Sequence, residues 1–406
     1  MANNYTEIAV DEIPSLIDNL LNYFGQKKIK TSLQKYRKSL EYAKSSPLYK
    51  EYFLKNRHPW WEAIIQFNKL RKSQIQLRKP IPLSIELLAY DAKKILTLKK
   101  TMSKKVQQRY ISAFFDDNSA KNYLFEIETA WIFYKKGWQI IWPEEPNKRK
   151  PEFIAQKDGV KIQVECKKIS VDTSIKIRRS DFYKLTDLIL PEITQAKLMG
   201  KLEIILTPGF MIDDEFLRNI AKQITTFLKK GELKCTETTD DLSVNMDLYP
   251  RANIIVNPIE IWNNFLRVKA NGWHGVVLFS DYMGQTVDPI EISLKTEDTG
   301  DLLTTIYNTM KDAARFQINK NVPGFISCHL SEIPAFSGLE RNSGLSAIAE
   351  RLFLSEYAKH IVAVAFVSDM RIIESPFAQV SRSPGLFFKN ENSSHPDVLD
   401  VNFLMN

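Results

Sequence analysis

The segment KPEFIAQKDGVKIQVECKK, residues 150–168, holds the residue types and the spacing best suited to chemistry. Glu165 and Lys167 lie two apart at the end of an alternating, strand-like run, and Glu152 lies thirteen residues before Glu165. Carboxylate oxygens are the ligands that hard divalent cations prefer. Whether these three side chains meet depends on how the segment folds.

The dipeptide Asp158-Gly159 between two strand-like runs is typical of a two-residue type I′ hairpin turn. Such a turn fixes the register, so Glu152 is predicted to face Glu165 with the two side chains roughly 5 Å apart. Alternation supports this register, because side chains two apart share one face of a strand. One face gathers Phe153, Ala155, Val160, Ile162, Val164 and Cys166. The other gathers Glu152, Gln156, Lys161, Gln163, Glu165 and Lys167.

Two interpretations of the polar face stay open. Like charges that face each other are destabilising unless positive charge lies between them. Lys167 supplies one positive charge, and a divalent cation would supply the rest. Because the pattern contains no nearby imidazole and no thiolate on this face, Mg²⁺ or Mn²⁺ is favoured over Zn²⁺. A ladder of solvent-exposed ion pairs would explain the same pattern.

Three fragments, FEIETAWIFYKKGW, KPEF and VECKK, resemble the motifs of the PD-(D/E)XK nuclease superfamily, which has a restriction-endonuclease-like fold. The resemblance covers residues 122–170 closely and extends more loosely to about residue 207. It implies that Glu126 is the helix carboxylate, Glu152 the acid of the second strand, Glu165 the acid of the third strand and Lys167 the catalytic lysine. It also implies that the backbone carbonyl of Cys166 contacts the metal. The family usually has Asp where this chain has Glu152.

The helix acid has a second candidate, Glu128. Glu126 and Glu128 point about 200° apart on a helical wheel. We prefer Glu126, because it shares one stripe with Ala130, Phe133 and Gly137, and the small residues of that stripe suit close packing on a sheet.

The resemblance implies a Mg²⁺-dependent (or Mn²⁺-dependent) nuclease that hydrolyses phosphodiester bonds in DNA. In this mechanism the carboxylates hold the metal, and Lys167 orients the attacking water or helps to deprotonate it. Basic runs at 147–150 and 176–179, together with Lys168, are expected to meet a phosphate backbone. The alternative is a catalytically inactive, nuclease-like protein that binds nucleic acid or serves in assembly.

The pattern along the chain predicts an all-helical N-terminal domain followed by an α/β domain. Apolar residues recur at helical spacing from Ile13 to about Tyr110, which places the helical domain at 1–115. Short β-rich runs then alternate with helices over 116–406, which predicts a mixed sheet flanked by helices. The core motifs occupy 122–207, and residues 240–406 form a C-terminal extension. The predicted strands are 138–142, 152–156, 160–166, 202–207, 253–257, 275–280, 325–330 and 361–367. The predicted helices of this part are 177–199, 214–230, 302–318 and 343–358.

Charge is unevenly distributed between the two parts. Residues 1–115 carry 22 Lys and Arg against 9 Asp and Glu, whereas the chain as a whole has a net charge of +8. A basic front suggests an anionic partner such as nucleic acid, and a solvated lysine-rich surface is the other explanation. The front could grip DNA, dock a protein partner or form a homodimer. Trp60 and Trp61 lie in a basic segment, where they are either a stacking surface for bases or anchors in a core.

Other features of the sequence bear on the location of the protein in the cell and on the classes of protein to which it could belong. The three cysteines are odd in number and lack a CxxC spacing, which fits a reducing cytoplasm. The five histidines are scattered and are expected to be structural. The N-terminus has no basic flank and apolar core of a signal peptide, and no apolar run approaches the length of a membrane-spanning helix. We also find no P-loop, so strand separation driven by ATP hydrolysis is not expected.

Overall fold

The computed structural model describes residues 8–44, 58–72, 81–144, 150–170, 177–207, 212–251, 254–262, 269–281, 286–331, 344–368, 373–374, 379–380 and 385–399. These residues fold into two compact units. Unit 1 takes its residues from 1–38, 56–169 and 306–406, and unit 2 takes them from 39–55 and 170–305. The predicted boundary at residue 115 therefore falls inside unit 1.

The front of the chain is helical, as the apolar spacing predicts. The described helices are α1 (Glu12–Phe24), α2 (Gln26–Lys44), α3 (Trp61–Lys72), α4 (Leu83–Leu98) and α5 (Lys104–Phe114), with a 3₁₀ turn at Lys99–Thr101 after α4. Ser103 begins α5, because its hydroxyl accepts a hydrogen bond from the amide of Val106 at 3.4 Å. Aromatic rings form the core between these helices, with the ring centre of Phe114 at 4.9 Å from Phe24 and 3.8 Å from Trp60.

The tryptophan pair of the front is part of this core. Trp60 and Trp61 are 3% and 2% exposed, and the indole N–H of Trp60 donates to Asp91 at 2.9 Å. The ring of Trp61 stacks on His58 at 4.0 Å. Base stacking needs an exposed aromatic face, so these two residues are core anchors and not a surface for nucleic acid.

The sheet of unit 1 contains the hairpin singled out in the sequence. Helix α6 (Asp117–Lys135) leads into β1 (Gln139–Ile141), β2 (Phe153–Lys157) and β3 (Val160–Ser170), and the sheet is completed by β10 (Gly324–Ser331), β11 (Ile361–Ser368) and β14 (Gly385–Lys389). The strand order is β1-β2-β3-β10-β11-β14. The pair β10–β11 is parallel, whereas β1–β2, β2–β3 and β11–β14 are antiparallel. The sheet is therefore mixed, as predicted.

Helices cover this sheet and connect its later strands. Phe133 of α6 packs its ring edge against Phe153 of β2 and Phe325 of β10, at 5.8 and 5.6 Å between ring centres. Helix α9 (Leu302–Asp312) continues as a π-helix at Ala313–Gln317 before β10, and α10 (Gly344–Phe353) and a 3₁₀ turn (Glu356–Ala358) precede β11. A short pair, β12 (Ile373–Glu374) and β13 (Gln379–Val380), lies before β14.

Unit 2 has a second mixed sheet. Its helices are α7 (Arg179–Gln195) and α8 (Asp214–Lys230), and its strands are β4 (Leu198–Leu206), β5 (Lys234–Thr238), β6 (Leu242–Pro250), β7 (Ile254–Trp262), β8 (Lys269–Asp281) and β9 (Thr286–Asp301). The order is β5-β6-β4-β9-β8-β7, with only the β4–β9 pair parallel among these described strands. The sequence resemblance was expected to extend to residue 207 through one helix and one strand. These elements are α7 and β4, and both lie in unit 2, where β4 is part of the second sheet.

In the part of the chain that the structure describes, no helix combines the length and the apolar character needed to cross a membrane. Cys166, Cys235 and Cys328 are free thiols.

Candidate carboxylate site

The β2–β3 hairpin has the turn and the register predicted from the sequence. Asp158 and Gly159 have φ angles of 49° and 81°, both in the left-handed region that a type I′ turn requires. Phe153 pairs with Val164, and Lys157 with Val160. The ladder ends at the pair Phe153 and Val164, and the amide of Glu152, the residue before β2, donates to the carbonyl of Val164 at 3.0 Å. The turn therefore brings Glu152 to the end of the hairpin near Glu165, whose pKa its charge raises. That the two side chains face each other stays a prediction.

The hairpin is buried on both faces at the end that carries the glutamates. Phe153, Ala155, Ile162 and Val164 are fully buried, as predicted, although Val160 beside the turn is 38% exposed. Glu165 on the other face is only 1% exposed, and its strand lies inside the sheet between β2 and β10. A ladder of solvent-exposed ion pairs is therefore wrong for Glu165.

Glu165 and Lys167 form a close ion pair along β3. The Lys167 ammonium lies 2.6 Å from Oε1 of Glu165, whereas Oε2 of Glu165 is buried without a hydrogen-bond partner among the described residues. Burial raises the pKa of Glu165 to about 7, and Lys167 opposes that shift. One oxygen of a nearly inaccessible carboxylate is thus left for a ligand.

Helix α6 adds the third carboxylate. Glu126 is 9% exposed, and its Oε2 accepts a hydrogen bond from the hydroxyl of Tyr110 at 2.7 Å. Burial and the neighbouring charge of Glu152 raise the pKa of Glu126 well above its usual value. The side chain of Glu128 is 42% exposed instead and pairs with Lys94. Of the two helix acids, Glu126 is the one that lies with the hairpin.

Glu152 links the other two carboxylates electrostatically. Its charge is the largest neighbouring contribution to the raised pKa of Glu126 and also raises that of Glu165. The pKa of Glu152 is itself raised by burial, against the lowering effect of Lys167 and Arg109. Its carboxylate forms no hydrogen bond or ion pair with any residue that the structure describes. Raised pKa values that cluster in this way are typical of functional sites.

Cys166 has its side chain on the core face of β3. The residue is 8% exposed, and burial raises the pKa of its thiol well above the ordinary value, so the thiol is not a candidate ligand. The predicted contact of its backbone carbonyl with a metal stays a prediction.

Helix α5 supplies neighbours that the motif did not predict. Tyr110 bonds Glu126, and the charge of Arg109 lowers the pKa of both Glu126 and Glu152. The guanidinium of Arg109 donates to the carbonyl of Pro143 at 3.3 Å and forms no ion pair with a described carboxylate. One feature of the sequence could have predicted that α5 lies near the site. Only residues 115 and 116 separate α5 from α6, so the two helices must be neighbours in space.

The basic residues expected to meet phosphate have different positions. Residues 147–149 and 176 lie outside the described part of the chain. Lys150 and Arg178 are exposed. Arg179 is 2% exposed, and its guanidinium lies 4.5 Å from the ring centre of Trp273 inside unit 2. The expectation that Arg179 meets a phosphate is therefore wrong, because its charge is buried against an indole.

The donor set suits a hard divalent cation by its chemistry. Glu126, Glu152 and Glu165 offer six carboxylate oxygens, and the buried Oε2 of Glu165 has no partner among the described residues. As the side chains stand, however, no three His, Cys, Asp or Glu residues of the described ranges converge closely enough to hold an ion. Glutamate has three rotatable side-chain bonds, so side-chain rotation is the change by which these carboxylates would converge on an ion.

Comparison of the chain with protein-family models, with curated proteins and with solved structures found no match. What the chain does must therefore be inferred from its own residues.

Proposed function

We propose that this chain is a Mg²⁺-dependent nuclease that hydrolyses phosphodiester bonds in DNA. The observation that carries the proposal is the β2–β3 hairpin, which brings Glu152 near the buried Glu165, with Lys167 paired to Glu165 at 2.6 Å. Glu126, Glu152 and Glu165 would hold the metal, and Mn²⁺ would substitute for Mg²⁺. When bound, such an ion polarises a phosphoryl oxygen and lowers the pKa of a bound water.

The order of the elements supports the proposal. In the PD-(D/E)XK family a helix carries the first carboxylate, the second strand begins with an acid and the third carries Glu-x-Lys. Here Glu126 lies on α6, Glu152 immediately precedes β2, and Glu165 and Lys167 lie on β3. The agreement is confined to α6 and the three strands that follow it, since α7 and β4 belong to unit 2.

The charges support it as well. Three carboxylates of one neighbourhood have raised pKa values because they are buried together, and only Lys167 forms an ion pair with any of them among the described residues. Burying like charges without compensation costs several kcal/mol. The rise in pKa reflects this cost, at about 1.4 kcal/mol for each pKa unit. A divalent cation would remove that cost, and the cost therefore supports the proposal of a metal in this cluster.

The protein's own groups then have separate tasks. The ammonium of Lys167 donates hydrogen bonds and can orient a water for in-line attack on phosphorus. Arg109 has donors that no described carboxylate uses, and it can bind a non-bridging phosphate oxygen. Glu165 is only 1% exposed, so bulk water has almost no access to its carboxylate.

Helix α2 offers a surface that suits the DNA backbone. Six of its cations are exposed and form no ion pair with a described residue: Lys27, Lys28, Lys30, Lys35, Arg37 and Lys38. The buried residues Ile29, Leu33 and Tyr36 hold the opposite face of the helix in the protein. A row of unpaired cations on a fixed helix attracts a polyanion independently of its sequence.

The decisive experiment is a cleavage assay on plasmid DNA with Mg²⁺ or Mn²⁺. We expect the parent chain to cut and both Glu165→Ala and Lys167→Ala to lose cutting while they keep their circular dichroism spectra. Lys161→Ala is the matched control, because Lys161 is an exposed lysine of the same strand. If the parent binds DNA but neither cuts it nor binds Mn²⁺ at millimolar concentration, the inactive, nuclease-like alternative is the better description.

A further inference from the structure

Tyr110 is fixed in position by its surroundings. It is 6% exposed, and its ring meets the ring of Tyr123 edge-on at 4.6 Å and that of Trp142 at 5.4 Å. Trp142 is fixed in turn, because its indole N–H donates to the hydroxyl of Thr101 at 2.8 Å. The Tyr110 ring is therefore held between two aromatic side chains, and its hydroxyl has a defined direction.

That hydroxyl is directed at a carboxylate of the candidate site. It donates to Oε2 of Glu126 at 2.7 Å across sixteen residues of sequence. Tyr110 lies on α5 and Glu126 on α6, so the bond ties the side-chain rotamer of Glu126 to a second helix. A phenol has a single hydrogen to donate, and here Glu126 receives it. The other oxygen of Glu126, Oε1, is not held by this bond.

We propose that Tyr110 is the positioning residue of the metal site: it holds Oε2 of Glu126 and leaves Oε1 for a cation, so that the side-chain rotation needed to bring the carboxylates together falls to Glu152. This inference rests on the proposed function. Hydrogen bonds to the ligands of a metal orient those ligands, and their loss typically weakens metal affinity by about 10- to 100-fold. It also makes the helical front a part of the site, through α5.

The test is calorimetric titration of the full chain with Mn²⁺. Tyr110→Phe removes the hydroxyl and keeps the ring, and we expect Mn²⁺ affinity to fall by about 10-fold or more. Tyr123→Phe is the matched control, because Tyr123 is the neighbouring ring and makes no hydrogen bond to Glu126. We expect its Mn²⁺ affinity to stay within about 2-fold of the parent.

Equal Mn²⁺ affinity in Tyr110→Phe and the parent would overturn the inference and leave the proposed function standing. An equal loss in Tyr123→Phe would also overturn it, because the effect would then come from ring packing. A parent chain that binds no Mn²⁺ would overturn the proposed function and this inference with it.

A second measurement keeps the test independent of a general loss of stability. In a Glu126→Gln chain the ligand is already removed, so adding Tyr110→Phe should change Mn²⁺ affinity by less than about 2-fold. A further loss of the full size seen in the parent background would show that Tyr110 does not act through Glu126.

Discussion

Glu165 forms an ion pair with the Lys167 ammonium at 2.6 Å, whereas the neighbouring Glu152, just before β2, forms none with a described residue. Glu152 is left without a partner among the described residues although burial raises its pKa. The proposed metal would account for a side chain that is costly for the fold and lies near two other carboxylates.

Glu152→Gln should therefore change stability and metal binding in opposite directions. Without metal, removing one of three neighbouring carboxylates should raise the free energy of unfolding by about 1 kcal/mol at pH 7. Mn²⁺ affinity should fall by more than about 10-fold because one of the ligands is removed. Urea denaturation and calorimetry measure the two quantities. Glu128→Gln is the control, since Glu128 lies outside the site, and a loss of Mn²⁺ affinity in that variant would contradict the assignment.

Arg109→Gln should separate metal binding from cleavage. The positive charge of Arg109 favours the ionised forms of Glu126 and Glu152 but also repels a cation. We expect Mn²⁺ affinity to change by less than about 5-fold, and kcat/KM for DNA cleavage to fall on the order of 10-fold or more, because the variant has no guanidinium to bind the phosphate. Lys104→Gln removes an exposed charge from the same helix and should leave both quantities near the parent values. Cleavage by Arg109→Gln at the parental rate would exclude this role for Arg109.

His58 should make the stability of the chain depend on pH. Burial lowers the pKa of His58 from 6.5 to about 3, and the ring is held neutral between the Phe114 carbonyl and the Trp60 amide. Between pH 6.5 and 3 the unfolded state binds the extra proton, so this contribution to stability is complete above about pH 6.5 and is lost as the pH falls. From pH 7 to 5 the loss should be about 2 kcal/mol.

The measurement is urea denaturation of the parent and of His58→Gln across that pH range. The difference between the two free energies of unfolding isolates His58, because the carboxylates titrate in both proteins. Glu165, with a raised pKa, contributes in the opposite direction and cancels in the difference. Parallel curves for parent and variant would mean that His58 becomes protonated in the folded chain without cost.

Helix α2 should set the salt dependence of DNA binding. Replacing Lys27, Lys30 and Arg37 by Gln should reduce the slope of log affinity against log salt by about 0.9 for each phosphate that the helix no longer neutralises. Fluorescence anisotropy in EDTA measures binding without cleavage. The control replaces three exposed cations of α8, Arg218, Lys222 and Lys230. An unchanged slope for the α2 variant, or an equal decrease for the α8 variant, would place the DNA elsewhere.

The hairpin could be predicted from the sequence because its determinants are local. A two-residue turn with two positive φ angles has few sequence solutions, and Asp158-Gly159 is one of them. Helical periodicity likewise predicted that Glu126 and Glu128 point to different faces of α6, since residues two apart do not share a helix face. Alternation identified the core face of β3. Burial of Glu165 on the opposite face could not be predicted, because the local sequence does not show that β10, far along the chain, lies next to β3.

The features that sequence reasoning missed depend on distant contacts. Tyr110 and Arg109 meet the site only because α5 packs beside α6, and nothing in either helix alone marks these two residues. Arg179 looked like a surface cation because the indole that covers it, Trp273, is distant in sequence. The strands β5 and β6 were missed because both contain many polar residues. In β6 only every second residue is buried, and β5 has no buried residue at all.

The insertion of unit 2 between β3 and β10 has a consequence for how the protein reaches its native state. Neighbouring strands of the first sheet are separated by the whole chain from Ser170 to Gly324, so their pairing requires closure of a very long loop. Contacts of such high sequence separation slow folding. During synthesis on the ribosome, Glu165 therefore stays in an unfinished sheet until β10 has emerged, and unit 2 can fold in the meantime.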